Sequence, residues 1–256
     1  MNLRTITLLT LIALTTPLRA ETAPDPAGGG IDFATLLSED QVKAHCISGL
    51  ADPSDTCTFE EFGDVGQVGS GVEGKHFVYA RYKIVEKDFP TLRTLRVVIF
   101  ERLPSGLQPA VAPGGDPAFV LFKPELIRSG GRILLHVPGY ESGTGNFNRE
   151  SLFVWSGKRS GDKKSGGGDW RIVDTTSWLD DLARRLPKGL SALKGIYPDY
   201  ARMTAATALW RKDDSNACAE GGRAAIHLVW RGDAIALKDF HMVKALDCGE
   251  APERKR

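Results

Sequence analysis

The chain has 256 residues, with 33 Lys and Arg against 32 Asp and Glu, 42% hydrophobic residues and four cysteines. That length supports one well-cored domain. The even charge balance excludes the global basic field that draws proteins to nucleic acid or an anionic membrane, and the end Arg254-Lys255-Arg256 reads as a solvated tail.

Residues 1–20 have the parts of a secretory signal. Arg4 is basic, Ile6 to Leu14 form a short apolar stretch diluted by threonines, and Pro17 to Ala20 supply a helix break with a small residue before Glu21. This is a cleavable leader, too short and too polar to span a bilayer. Cleavage removes Arg4 and Arg19, so 33 basic residues become 31 against 32 acidic ones, and no anchor remains in the mature form. The expected destination is the periplasm or the cell exterior.

Residues 21–30 (ETAPDPAGGG) form a flexible linker. Residues 31–72 read as a short helical and loop segment stapled by a disulfide. Within it, Ser38-Glu39-Asp40-Gln41 has the form of a capping box that starts a helix from Glu39 to about Ile47. Glu60 to Gly74 is rich in glycine and acidic residues and shows little periodicity. Cys46, Cys57, Cys218 and Cys248 are an even set in an exported chain, which points to two disulfides. Three pairings exist, and loop closure favours Cys46–Cys57 with Cys218–Cys248. The spacing does not fit zinc.

Residues 73–256 read as a β-rich domain. HFVYARYKIV, LRVVIFE, AFVLF, RILLHV, SLFVW and WRIVD are β-branched and aromatic runs separated by turns. The tip between the last two, SGKRSGDKKSGGGD, is glycine-rich and basic, with no aromatic residue to stack on a base. One internal helix begins at Ser177, with Trp178, Leu179, Leu182, Ala183 and Leu186 as its apolar stripe, and Pro187 and Gly189 end it. Strand patterns return with a weaker run from Met203 to Trp210. AAIHLVW and AIALKD follow, joined by Arg231-Gly232-Asp233, a cell-adhesion tripeptide by letter that turn chemistry explains.

The chain also echoes itself. Pro124 begins PELIRSGGRILLHV, then a polar loop, then SLFVW; Pro198 begins PDYARMTAATALW, then a polar loop, then IHLVW. A fainter copy precedes both. Each unit reads as a strand, a long loop and a hairpin, and the recurrence predicts two or three antiparallel meander repeats. The expected fold is mainly β, a twisted sheet, sandwich or partial propeller, with one N-terminal and one internal short helix.

Signatures for catalysis and cofactors are missing. Gly139-Tyr140-Glu141-Ser142-Gly143 is not a serine-hydrolase elbow. Gly69 to Gly74 matches GxGxxG without the strand before it and helix after it that dinucleotide binding needs. No histidine pair has the i, i+4 spacing of a helical metal site, so neither metal nor cofactor is expected. His136 and His227 fall inside strand patterns, where a hydrogen-bonded structural role is commonest. Asp213, Asp214 and Asn216 lack the EF-hand spacing for calcium.

The loop Tyr140 to Glu150 (YESGTGNFNRE) stands out. Tyr140, Glu141, Asn146, Asn148 and Arg149 combine an aromatic ring with directional polar groups, which suits recognition of a polar ligand. The sequence therefore favours a non-enzymatic binding module that meets a polar ligand or an envelope protein. One alternative is a periplasmic hydrolase of carbohydrate or peptide with Glu141 and Glu150 as the acid–base pair. Another is a structural envelope component.

Overall fold

The computed structural model describes residues 36–47, 50–69, 74–91, 94–113, 119–141, 148–157, 169–192, 195–215 and 218–243. The leader, the linker, the basic tip 158–168, Asn146, Asn216, Cys248 and the C-terminal tail lie outside them. The described residues are mainly β, with several antiparallel sheets and two short helices.

Helix α1 (Glu39–Ala44) opens with the expected box: Ser38 Oγ accepts from the Gln41 N–H, and the Gln41 side chain accepts from the Ser38 N–H. It stops at His45, short of Ile47. Cys46 is bonded to Cys57, with Cα atoms 5.9 Å apart. Cys218 is disulfide-bonded too, while its expected partner lies outside the described residues.

The first meander is β1 (Thr56–Val68), β2 (Lys75–Val85), β3 (Thr94–Leu103) and β4 (Gly106–Val111), each antiparallel to the next. β1 corrects the reading of 31–72 as helix and loop. Two register shifts, at Phe59/Glu61 and Asp64/Gly66, interrupt its alternation. Gly66 takes φ +125°, open only to glycine. Its acidic residues face a cation: Arg81 pairs with Glu60 at 3.5 Å and with Glu61 at 2.9 Å.

β5 (Phe119–Leu121) runs parallel to the start of β3, through Leu95 and Val120. The second meander is β6 (Glu125–Ser129), β7 (Arg132–Val137), β9 (Ser151–Trp155) and β10 (Trp170–Ile172). Between its second and third strands, β8 (Gly139–Glu141) leaves to pair with β5. Helix α2 (Ser177–Arg185) follows, and β11 (Leu190–Ser191) pairs with β14 (Trp210–Arg211). The third meander is β12 (Tyr197–Asp199), β13 (Thr204–Ala208), β15 (Arg223–Arg231) and β16 (Ala234–Val243).

The second and third meanders thus share one strand order, and Pro124 and Pro198 mark the start of both. Each unit has one strand more than the sequence suggests. The short strands β6 and β12 sit directly after or on the proline and pair with the next strand across a tight turn.

The sheets of the three meanders stack. Phe77, Tyr79, Val97 and Ile99 of the first pack on Leu135, Val137, Phe153 and Trp170 of the second. Leu134, Leu152 and Val154, on the other side of those same β7 and β9 strands, pack with α2 and with Ala224, Ile226 and Leu228 of the third. Successive strand residues point to opposite faces, so a sheet covered on both sides must be apolar on both, which is why RILLHV and SLFVW do not alternate. The outer face of the first sheet (Val78, Ala80, Tyr82, Phe100) is closed by Leu37, Val42 and Ile47 of the N-terminal segment. Tyr82 donates its hydroxyl hydrogen to the Val42 carbonyl at 2.9 Å.

Candidate functional site

Two constellations are built around the loop singled out in the sequence, one exposed and one buried. The exposed one forms because β8 lifts out of the second meander. Gly139, Tyr140 and Glu141 pair with Leu121, Val120 and Phe119, and the far end of the loop returns to the same place. Tyr140 bridges to Asn148, and the Arg149 N–H donates to the Gly139 carbonyl at 3.0 Å. Gly139 is required here: a Cβ would lie 2.7 Å from both the Arg149 carbonyl oxygen and Leu121 Cδ2.

This clasp brings together four of the five residues named from sequence, Tyr140, Glu141, Asn148 and Arg149; the fifth, Asn146, lies outside the described residues. Arg149 clamps Glu141 with two nitrogens, Nε at 2.9 Å and Nη2 at 2.8 Å. The Tyr140 ring packs against Phe122 at 5.6 Å, and Phe122 is 42% exposed. An accessible aromatic pair beside an ion pair and a primary amide can stack on a ring face while directing hydrogen bonds to its edge. Phe122 is the addition that sequence reasoning missed. It sits in an apolar run, and only the β5–β8 pairing reveals that its side chain is left outside.

The buried constellation lies one step inside, between the second and third sheets. His136 on β7 faces Glu125 across the β6–β7 ladder. Its Nδ1 lies 3.0 Å from a Glu125 oxygen and its Nε2 lies 3.0 Å from a Glu150 oxygen. The Tyr200 hydroxyl donates to the other Glu150 oxygen at 2.5 Å, and its ring meets His136 edge to face at 5.2 Å. His136 is 7% exposed and Tyr200 1%. Burial pulls the imidazolium pKa down, but the hydrogen bonds and charges of Glu125 and Glu150 outweigh it and raise His136 to about 9. Burial, and then the Glu150 charge, push the Tyr200 phenol well above its usual value. The His136 hydrogen bond holds Glu125 below the ordinary carboxylate range.

This arrangement is an ionic pin. Both imidazole nitrogens donate to carboxylates, so neither faces a reacting group. Glu150, one half of the acid–base pair considered from sequence, is held by His136 and Tyr200, and Glu141, the other half, by Arg149.

A cleft of about 590 Å³ lies where β10 meets the β15–β16 turn, with Ile172, Thr175, Arg231 and Asp233 in its wall. Its acids are engaged. Asp233 of the Arg-Gly-Asp turn forms a fork with Arg171, at 2.7 and 3.3 Å. Asp174 caps α2 by accepting from the Thr176 and Ser177 N–H groups.

Among the described residues no group of three or more His, Cys, Asp and Glu is placed to hold a metal ion, and no helix is long and apolar enough to cross a membrane. Comparison with known proteins finds no matching family model, no matching curated protein and no matching solved structure.

Proposed function

We propose that this is an exported binding module, working in the periplasm or outside the cell, that takes a polar partner on the patch formed by Phe122, Tyr140, Glu141, Asn148 and Arg149. The observation that carries this reading is the clasp. Two distant ends of one loop are tied side by side, and the residues they present are an exposed aromatic pair and directional polar groups. The commitment of Glu141 and Glu150 to cationic neighbours favours binding over the hydrolase alternative. The leader, the Cys46–Cys57 disulfide and the bonded state of Cys218 support an oxidising compartment.

The test has two parts. Cell fractionation and N-terminal sequencing should find a mature chain beginning at Glu21 outside the cytoplasm. A photo-crosslinking residue at Lys123, exposed beside the patch, should capture a partner that the folded variant with Tyr140, Glu141, Asn146 and Asn148 replaced no longer binds. Unchanged partner binding by that variant would overturn the loop assignment.

A further inference from the structure

The outer face of the third sheet carries a feature that sequence spacing hides. β15 and β16 leave their tight turn in regular register, with Arg231 opposite Ala234 and Val229 opposite Ala236. A bulge between His227 and Leu228 then shifts the ladder, so that His227 lies opposite Asp239 and Ala225 opposite His241. In unbroken register His227 would face Lys238, and His241 would fall on the opposite face of the sheet. The inner face is consistent with the shift: Ile235, Leu237 and Phe240 all pack on the core between the second and third sheets.

The bulge therefore gathers His227, Asp239 and His241 on one solvent-facing surface. The two imidazole rings are 5.9 Å apart and tilted by 50°. An imidazole bound to a first-row metal through one nitrogen places its ring centre about 3.2 Å from the ion. Two rings 5.9 Å apart can thus share one ion, with an angle of roughly 130° between the ligands. His227 Nδ1 is 2.5 Å from an Asp239 oxygen. A carboxylate in that position accepts the Nδ1 hydrogen, which leaves Nε2 as the lone-pair donor and makes it a better ligand. His241 has no hydrogen-bond or ion-pair partner among the described residues besides its ring contact with His227. Its cross-strand neighbour is Ala225, and Ala206 lies beyond that, so no bulky side chain fills the ladder positions beside it.

We propose that His227 and His241 form a two-histidine surface site for a divalent transition ion of the copper, nickel or zinc type, with Asp239 positioning His227 and with water or a partner's ligand completing the coordination. Two nitrogen ligands exclude calcium and magnesium, which take oxygen.

The test is titration of the tag-free chain with CuCl₂ and with ZnCl₂ by calorimetry. The expected result is one ion per chain, bound more tightly for copper than for zinc. His227→Gln and His241→Gln should each weaken binding at least tenfold. Asp239→Asn should weaken it about tenfold while leaving both ligands in place. His76→Gln, which alters another exposed histidine paired with a carboxylate (Asp64), should change nothing. All four positions are exposed or half-exposed, and thermal unfolding without metal should be unaltered, which separates loss of a ligand from loss of fold. The proposal is overturned if the parent chain binds neither ion at millimolar concentration, or if either of the His227 and His241 variants binds like the parent. Parent-like binding by Asp239→Asn overturns the positioning role.

Discussion

Removing the imidazole of His136 tests the ionic pin most directly. His136 rises from an unfolded value near 6.5 to about 9 in the fold. At about 1.4 kcal/mol per pH unit, the protonated form contributes roughly 3 kcal/mol to stability. Because the folded value is the raised one, that contribution is fully present below about pH 6.5 and is lost as pH climbs through 9. A domain of this size has about 10 kcal/mol in all, so the loss is measurable. His136→Gln keeps a polar side chain but no charge, and leaves Glu150 and Tyr200 without their cation. Breaking a buried pair in this way costs about 3–5 kcal/mol. Urea unfolding of both proteins, disulfides intact, should show a large gap at pH 6 that shrinks by about 3 kcal/mol on going to pH 10. Other groups that titrate in this range are common to both proteins and cancel in the difference. A gap that stays constant from pH 6 to 10 would show that His136 is neutral in the fold and that the pin is not ionic.

Three further outcomes follow from named geometry. Gly139→Ala forces a Cβ to 2.7 Å from the Arg149 carbonyl; it should part the β8 clasp and abolish partner binding, with far-UV circular dichroism nearly unchanged because the three meanders remain. Replacing Cys46 and Cys57 by serine should lower stability by about 3 kcal/mol for a loop of this length, read as a lower urea midpoint than that of the oxidised parent. Trp178→Ala empties a site that is 1% exposed between α2 and the third sheet, and should cost about 3–5 kcal/mol by the same measurement.

What the sequence made legible was whatever depends on local chemistry. The capping box at Ser38, the short loop between Cys46 and Cys57, and the tight turn at Gly232 each follow from a few adjacent residues. The echo at Pro124 and Pro198 was visible because it is a repetition of such local patterns. β1 was not visible, because its bulges break the period of two and its acidic residues resemble loop chemistry until Arg81 is placed opposite them. The clasp was half visible: the loop's composition marked Tyr140 to Arg149, but Phe122 enters only through a long-range strand pairing. The pin and the histidine pair were hidden for one shared reason. His136 with Glu150 and Tyr200, and His227 with His241, are joined by register and sheet stacking, and neither leaves a spacing along the chain.

The place of Glu150 has a consequence for how the loop can respond. It follows directly on Arg149 of the clasp and is also the acceptor for His136 and Tyr200 in the interior. Glu141 and Glu150 are therefore both tied down, the first in the β5–β8 ladder and the second in a buried ion pair. A partner that meets Tyr140, Glu141, Asn148 and Arg149 would find groups whose positions are already fixed, so less ordering entropy would oppose binding. A change inside the stack at Tyr200 or His136 would shift Glu150 and its neighbour Arg149, and so reach the outer surface without touching it.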